Sequence, residues 1–244
     1  MRLSLFGLCA VCLVSTGAGP DLIGGREIPL SSMPAIVYVK QGSSRCSATI
    51  IAKDVVLTAA HCVPDLGDIG PVSDEPVEVL AGEQRYSARC RQSPAWRTRR
   101  GDHDMALCKV DRDLPFPPAY ISAVPVALKE KVLLTGYGCT QGPAGTGGND
   151  GKLRVGEAEV IRLPAPGSLW FYTEGSVALC YGDSGSSAWS ISKGRAYQVV
   201  GVNSRGNIRR LSLLTALYTA ESLAFLRQFQ AEQHVRICGV SSDC

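Results

Sequence analysis

The sequence predicts an all-β protein that ends in a single helix. Short runs rich in β-branched and other apolar residues recur along most of the chain, and Gly, Pro and Asn residues separate them. Strands at this spacing are typical of a β-sandwich or β-barrel. The proline-rich stretch "DLPFPPAY", residues 113–120, divides these runs into two nearly equal groups. We therefore expect two β units joined by this connector.

Ten strands are predicted, each bounded by turn-forming residues. In chain order they span residues 35–42, 47–52, 55–60, 77–82, 105–110, 131–138, 156–163, 186–191, 196–204 and 213–218. The predicted helix begins with Thr219 as its N-cap. Leu223, Leu226 and Phe229 follow at helical spacing. Phe225 widens this apolar stripe, so we expect one helix face to pack on the β units.

Length and composition describe a globular protein. A chain of 244 residues can bury most of its apolar surface. With 45% hydrophobic and 19% charged residues, it lies outside the range of disordered chains. The net charge of +3 is small and of mixed sign, which gives no basis for nucleic-acid binding.

The first 19 residues have the features of a signal peptide. Arg2 supplies the positive charge, and residues 3–14 form an apolar run that is too short to span a bilayer. The small residues of "STGAGP" suit cleavage after Ala18 or Gly19. No later stretch is typical of a membrane helix, so we expect a secreted or periplasmic protein without a membrane span.

Cysteine usage agrees with export. Of the ten cysteines, Cys9 and Cys12 fall in the predicted signal peptide, which leaves eight. An even number in an oxidising compartment predicts four disulfides, although eight cysteines allow 105 pairings. Metal binding is the alternative, but the remaining chain has no C-x-x-C pair and no histidine pair at ligand spacing. We therefore expect neither a metal nor an organic cofactor.

Three residues form a candidate catalytic set. His61 lies in "LTAAHC" directly after a predicted strand, Asp104 precedes the apolar run of "MALCKV", and Ser184 lies in "CYGDSGSS". The order His, Asp, Ser matches one known arrangement of a serine nucleophile, its base and an orienting carboxylate. The alternative is that "GDSG" is only a tight turn. The two other histidines, His103 and His234, are expected at the surface.

Together these motifs resemble the trypsin and chymotrypsin family of serine peptidases. The similarity runs from about residue 22 to residue 229 and rests on "LIGG", "TAAHC", the D-x-A-L pattern at Asp104, "TGYG" and "GDSG", in that order. The resemblance implies two packed antiparallel β-barrels with the active site between them. It divides the chain into residues 22–118, which carry His and Asp, residues 119–218, which carry Ser, and a helix and tail at 219–244.

The resemblance also assigns roles near the nucleophile. His61 would be the general base, Asp104 its orienting carboxylate and Ser184 the nucleophile. The backbone N–H groups of Gly182 and Ser184 would form the oxyanion hole.

The resemblance further implies activation by cleavage before Leu22, whose new ammonium would pair with buried Asp183. Residues 20–21 would then be a short propeptide. The preceding residue is Asp21 rather than Arg or Lys, so a trypsin-like activator would not cut there.

For the substrate pocket, the resemblance places Ala178 at the floor, with Leu179 beside it and Ala216 at the back. The floor carries no acid, so we expect apolar primary specificity, with Glu174 as the acidic residue that would contradict this if it turned inward. The wall would be formed by Ser204, Arg205 and Gly206. Arg205 stands where the family has Trp and makes this surface basic.

Three further arginines follow Trp96 in "WRTRR". Together with Arg205, the side chains of Arg97, Arg99 and Arg100 could favour acidic residues further along the substrate. The alternative, which we prefer for this run, is a solvated loop face.

Finally, the resemblance constrains the disulfides. Cys46–Cys62 follows the family, Cys90–Cys108 would join adjacent strands, and Cys238–Cys244 would close a small ring. The usual partner of the Cys180 counterpart is missing, and in the family's fold the loop after "TGYG" lies beside this segment. We therefore expect Cys139–Cys180.

The predicted function is that of a secreted, monomeric serine endopeptidase that acts on polypeptides and could be bound by protein inhibitors. The alternative is a non-catalytic binding or adhesion module with the same fold. A calcium site among Asp65, Asp68, Asp74 and Glu75 has no defensible ligand spacing.

Overall fold

The computed structural model describes residues 22–64, 77–98, 101–140, 150–191, 196–241 and 244. Its strands are β1 Arg26–Glu27, β2 Ile36–Gln41, β3 Ser44–Ala52, β4 Val55–Thr58, β5 Val77–Ala81, β6 Gln84–Gln92, β7 Ala106–Val110, β8 Lys131–Gly136, β9 Arg154–Arg162, β10 Trp170–Glu174, β11 Ser187–Ser190, β12 Gln198–Gly206 and β13 Leu211–Ala216. The α-helices are α1 Ala95–Thr98 and α2 Ala220–Gln233, and short 3-10 helices span Leu30–Ser32 and Ala60–Cys62.

The first six-stranded unit is a closed antiparallel barrel in the order β2-β3-β4-β7-β6-β5. Every residue of β4 is buried, and so are the last six residues of β3, because both strands are nearly continuous apolar runs. In β6 the inward residues Tyr86, Ala88 and Cys90 alternate with outward polar ones. This alternation lets a strand with few apolar residues close the barrel.

The second unit is also a closed six-stranded antiparallel barrel. Its strands follow the order β9-β10-β13-β12-β11-β8, and pairing of β8 with β9 closes the ring. The predicted fold class of two antiparallel β-barrels with a C-terminal helix is therefore confirmed. The proline-rich stretch at residues 113–120 lies between β7 and β8.

Each chain end packs on the barrel that the other half of the chain forms. Strand β1 pairs with β9, and Leu22 belongs to the apolar core of the second barrel. At the other end, Phe225 and Phe229 of α2 belong to the core that includes the first barrel. The backbone N–H of Cys238 donates to the Ile51 carbonyl oxygen of β3 at 2.9 Å. The two barrels are thereby held together by both ends of the chain.

The structure contains all ten predicted strands and the predicted helix, with ends shifted by a few residues. Thr219 is the N-cap of α2, and its side chain accepts a hydrogen bond from the backbone N–H of Ser222. Three strands were missed: β1, β6 and β10. Strand β6 has too many polar residues to appear as an apolar run, and β10 is a short aromatic segment, "WFYTE".

Several predictions concern residues outside the described ranges. They are the signal peptide and propeptide at 1–21, the acidic residues at 65–75, Arg99, Arg100 and the side chain of Arg97. Among the described helices, none has the length and apolar character needed to cross a membrane.

Candidate active site

A cleft of about 420 Å³ lies where the two barrels meet. His61 of the first barrel and Ser184 of the second both line it. The other lining residues are Leu179, Cys180, Tyr181, Ser204, Arg205, Gly206 and Ile208. The cleft therefore combines two of the three predicted catalytic residues with four of the predicted substrate-binding residues.

Strand register brings His61 to Asp104. Strand β4 pairs antiparallel with β7, and Thr58 at the end of β4 lies opposite Ala106 at the start of β7. His61 follows Thr58 by three residues, and Asp104 precedes Ala106 by two, so both leave the barrel at the same edge. The Cys46–Cys62 disulfide ties the turn that carries His61 to β3.

Asp104 is fully buried and receives three hydrogen bonds. Its Oδ2 accepts from His61 Nδ1 at 2.7 Å and from the Ser204 hydroxyl at 2.5 Å, and its Oδ1 accepts from the His61 backbone N–H at 3.0 Å. Burial alone would raise the pKa of Asp104. The hydrogen bonds and charge of His61, together with the Ser204 hydroxyl, outweigh burial and hold this pKa below its usual range.

This carboxylate determines how the imidazole of His61 is used. An ionised carboxylate can only accept hydrogen bonds, so Nδ1 of His61 must donate to it. In the neutral ring, Nε2 is then the nitrogen that can accept a proton. The His61 side chain is 34% exposed and lines the cleft.

The turn around Ser184 is fixed by contacts with the first barrel. The backbone N–H of Ser47 in β3 donates to the Ser184 carbonyl oxygen at 2.8 Å. Residue 185 must be glycine, because a Cβ there would lie 2.1 Å from Thr58 Oγ1 and 2.3 Å from the Ser47 carbonyl oxygen. The "GDSG" segment is therefore fitted against β3 and β4, which makes it more than a surface turn.

The Ser184 hydroxyl itself points along β12 in this structure. It donates to the Ser204 carbonyl oxygen at 3.4 Å, and this is its hydrogen bond within the described part of the chain. Catalytic hydrogen bonds are often loose or misaligned in unliganded enzymes, so this orientation is compatible with Ser184 as a nucleophile.

The backbone N–H groups of Gly182 and Ser184 have no hydrogen-bond acceptor among the described residues. Gly182 has a φ of 98°, a backbone conformation that favours glycine. Its carbonyl oxygen accepts from the Ser47 side chain at 2.8 Å, and the same Ser47 oxygen accepts from the Tyr137 backbone N–H at 3.2 Å. Ser47 thus links the "TGYG" segment to the loop that carries Ser184.

Asp183 lies fully buried behind this loop. Its Oδ1 accepts from the Gly138 backbone N–H at 2.8 Å, and its Oδ2 accepts from the Cys180 backbone N–H at 2.9 Å. Burial is the largest influence and raises the pKa of Asp183 to about 7 despite these two bonds. Leu22 is also fully buried, but its nitrogen is a peptide amide in the full-length chain and carries no charge.

The predicted pocket residues separate into two groups. Leu179, Ser204, Arg205 and Gly206 line the cleft. Ala178 and Ala216 are fully buried and are absent from its lining.

Tyr181 and Ile208 line the cleft without having been predicted. Tyr181 is 62% exposed, and an aromatic residue directly before "GDSG" could have been noticed. Ile208 is a single apolar residue in the polar turn "RGNIRR", which offers little signal.

The prediction that His103 lies at the surface was wrong. His103 is 1% exposed, and its Nε2 lies 3.2 Å from Oε2 of Glu221 at the start of α2. Its φ of 62° is a left-handed backbone conformation, so residues 103 and 104 do not alternate between opposite faces as they would in a strand. His234 is exposed, as expected, and caps the C-terminal end of α2.

The structure contains four disulfides: Cys46–Cys62, Cys90–Cys108, Cys139–Cys180 and Cys238–Cys244. The Cys139–Cys180 bridge joins the segment after "TGYG" to the loop that carries Ser184. Among the described residues, Cys46, His61 and Cys62 form one group with metal-ligand spacing. Its two sulfur atoms are joined in a disulfide, so they are not thiolates that could bind a metal.

Two β-barrels that bring a histidine–aspartate pair and a serine to one cleft define the architecture of the chymotrypsin-like serine proteases. The family model described as Trypsin matches residues 22–222, so the chain belongs to the trypsin family. This membership indicates a hydrolase of the serine protease class.

Two relatives that cover most of this chain share less than a quarter of their aligned residues with it. The proclotting enzyme of Tachypleus tridentatus is 24% identical over 246 residues, covering 86% of this chain and 65% of the relative. This chain therefore spans slightly less than two thirds of that protein. A trypsin-like protease of Streptomyces glaucescens is 23% identical over 228 residues, covering 84% and 80% of the two chains.

The structure is also similar to that of neuropsin, a serine protease expressed in the limbic system of mouse brain. The TM-score is 0.69 and the identity 18%, with 84% of this chain and 98% of neuropsin covered. At this identity the similarity concerns the fold.

Proposed function

We propose that this protein is a secreted serine endopeptidase that hydrolyses peptide bonds through Ser184, His61 and Asp104. The observation that carries the proposal is the buried Asp104 carboxylate bound to His61 Nδ1 at 2.7 Å, with His61 and Ser184 lining one cleft. No triad member is missing, and each has the chemical type that its role needs.

Acylation would begin with rotation of the Ser184 hydroxyl from the Ser204 carbonyl towards His61. Oγ attacks the substrate carbonyl carbon while its proton moves to Nε2 of His61. Asp104 stabilises the resulting imidazolium, since its lowered pKa keeps it ionised. His61 then gives the proton to the leaving amine as the C–N bond breaks, which leaves an acyl ester on Ser184.

Deacylation repeats these steps with water. His61 takes a proton from the water as its oxygen attacks the ester carbon. The proton then returns to Ser184 Oγ as the C–O bond breaks, and the carboxylic acid product leaves.

The oxyanion formed in both steps would be stabilised by the backbone N–H groups of Gly182 and Ser184. Support comes from their having no acceptor among the described residues. One such donor contributes about 2.7–4 kcal/mol to transition-state stabilisation.

The primary specificity would be for apolar side chains of medium size, such as Leu, Val or Met. Leu179 and Ile208 line the cleft, and no described carboxylate lines it. Glu174 does not contradict this, because it pairs with Arg210 at 3.6 Å and lines a different cavity. A buried guanidinium or ammonium would have no partner here.

Maturation would remove the signal peptide and residues 20–21, so that the chain begins at Leu22. The new ammonium would then pair with Asp183, whose carboxylate has no cationic partner within ion-pair distance among the described residues. Export is supported by the sequence of the first 19 residues and by the four disulfides.

The test is labelling of the secreted protein with an organophosphorus serine reagent, together with N-terminal sequencing. We expect a stoichiometric label on Ser184 in a chain that begins at Leu22. Ser184→Ala should lose the label and peptide turnover, with a residual rate of roughly 10³–10⁴-fold over water.

The matched control is Ser87→Ala, which changes an exposed serine on the outer side of β6 and should keep both. Wild-type turnover in Ser184→Ala would contradict the nucleophile assignment. A folded chain that begins at Leu22 but shows neither label nor turnover would favour the non-catalytic binding module.

A further inference from the structure

We propose that Arg205 selects substrates with an acidic side chain at the second to fourth residue before the cleaved bond. This inference rests on the proposed peptidase function and adds the chemical class of its substrates.

Arg205 lies beside an open strand edge that leads away from the nucleophile. Strand β11 begins at Ser187, which pairs with Val202 of β12. Beyond this point, no described strand covers the same side of Ser204–Gly206, while β13 pairs with the other side. An extended peptide can pair with such an edge. With its scissile bond at Ser184, an antiparallel peptide would extend its preceding residues past Arg205.

The Arg205 guanidinium lies near residues of both barrels. Its Cζ atom lies over the Trp170 ring, 5.0 Å from the ring centroid. A Cβ placed on Gly101 would lie 3.2 Å from Nη2 of Arg205 and 3.3 Å from the Trp96 ring. The Trp96 ring is in turn 6.5 Å from the His61 ring. The Trp170 ring thus covers one face of the guanidinium, and Nη2 lies on the side of Gly101, although Arg205 is exposed.

This guanidinium has no carboxylate partner among the described residues, whereas many of the other described basic side chains form ion pairs. Its N–H groups also donate to no described residue. A contact with an aromatic ring uses the face of the guanidinium and leaves its in-plane donors available. A carboxylate matches this geometry because it can accept two parallel N–H bonds.

An acidic side chain is therefore the substrate group that this part of the cleft can bind best. A neutral amide has the same shape but lacks the charge. The difference between Glu and Gln at one substrate position measures the contribution of Arg205.

The sequence offers a rival source of positive charge. Arg97, Arg99 and Arg100 lie between Trp96 and Gly101 in the chain. A general attraction of acidic peptides to this run would act at longer range and at every substrate position. The experiment must therefore distinguish a contact between Arg205 and one substrate side chain from a general electrostatic attraction of acidic peptides.

The probes are peptide pairs that are identical except for Glu or Gln at the second, third or fourth residue before the cleaved bond. For wild type we expect a Glu/Gln ratio of kcat/KM of about two to five at one of these positions, because Arg205 is exposed. The ratio should fall as salt rises, because the screening length shortens from about 10 Å at 0.1 M to about 3 Å at 1 M.

Three variants test the assignment. Arg205→Gln should bring the ratio close to one, and Arg205→Glu should prefer Lys over Gln at the same position. Because each result is a ratio within one variant, a general loss of activity cancels. Arg89→Gln, which removes an exposed arginine from the outer side of β6, is the matched control and should keep the wild-type ratio.

The inference is overturned if wild type cleaves Glu and Gln peptides equally at all three positions. It is also overturned if Arg205→Gln keeps the preference while joint replacement of Arg97, Arg99 and Arg100 by Gln removes it. Equal cleavage would leave the peptidase function intact. Absence of cleavage of every peptide, with Ser184 unlabelled, would overturn both proposals.

Discussion

Two buried aspartates, one on each side of the cleft, differ in a way that separates the two halves of the site. Asp104 and Asp183 are both fully buried, and each accepts hydrogen bonds on both of its oxygens. Yet the pKa of Asp104 is lowered, whereas burial raises that of Asp183 to about 7. At Asp104 the hydrogen bonds and charge of His61 and the Ser204 hydroxyl outweigh burial, whereas at Asp183 two backbone amides and the charge of Arg154 do not.

The histidine half of the site is therefore complete within the chain as described. His61 and Ser204 supply what the Asp104 carboxylate needs. The serine half contains a carboxylate that still needs a positive charge, and in our proposal the ammonium of Leu22 supplies it. We therefore expect the His61–Asp104 pair to form with or without cleavage before Leu22. The charge state of Asp183 should change with that cleavage.

The largest expected effect on activity comes from removing the charge of Asp104. Asp104→Asn should lower kcat by about 10⁴-fold, because an amide can hold the imidazole in the wrong tautomer and cannot stabilise the imidazolium. Active-site titration and kcat measured on a folded variant check this. A loss below tenfold would show that Asp104 is only a structural partner of His61.

The next effect concerns how Asp183 makes the free energy of unfolding depend on pH. In the uncleaved chain, Asp183 keeps its proton up to about pH 7, whereas an unfolded chain releases it near pH 4. The folded state then binds more protons than the unfolded state between these values. The free energy of unfolding should therefore fall as pH rises from about 4 to about 7, by on the order of 4 kcal/mol.

Chemical denaturation of the uncleaved chain at several pH values measures this slope, with Ser184→Ala as background to prevent self-cleavage. Asp183→Asn in that background should remove the slope, and cleavage before Leu22 should reduce it. A slope that persists in Asp183→Asn would assign it to other groups and remove the contrast between the two aspartates.

The smallest effect concerns Ser47, which connects the two halves. Ser47→Ala removes the hydroxyl that donates to the Gly182 carbonyl and accepts from the Tyr137 N–H. We expect kcat to fall by up to about tenfold with little change in KM, since one hydrogen bond contributes about 0.5–1.5 kcal/mol. Affinity for a peptide aldehyde, which mimics the oxyanion, should fall in parallel.

Thr49→Val is the matched control, because Thr49 lies two residues further along β3 and its hydroxyl bonds to Ser187 at 2.7 Å. It should lose stability while keeping kcat. If both variants lower kcat equally, Ser47 acts through general packing between the barrels and not on the Gly182 loop.

Regular periodicity made much of the fold predictable. The apolar runs of β3, β4 and β12 and the spacing of Leu226 and Phe229 in α2 gave the right elements because burial follows them. Strand β6 was missed because half of its residues face solvent. A search for period-two alternation would have found Tyr86, Ala88 and Cys90.

The site was predictable where it rests on short motifs and unpredictable where it rests on packing. His61, Asp104 and Ser184 stand in recognisable segments of the sequence. The buried position of His103 depends on a single left-handed residue, and the bond from Ser47 to Gly182 joins residues 135 positions apart. Nothing local in the sequence specifies either contact.

Because each barrel binds a segment from the other half of the chain, the two barrels cannot separate at the cleft without releasing both segments. Strand β1 and Leu22 are held in the second barrel, while α2 and Cys238 are held against the first. Separation of the barrels would expose the apolar residues of both segments to water at the same time. Cleavage of the chain within residues 113–120 should therefore leave the two barrels associated, because each barrel still binds a segment from the other half of the chain. The hydrogen bond from Ser204 to Asp104 would then be retained between the two fragments.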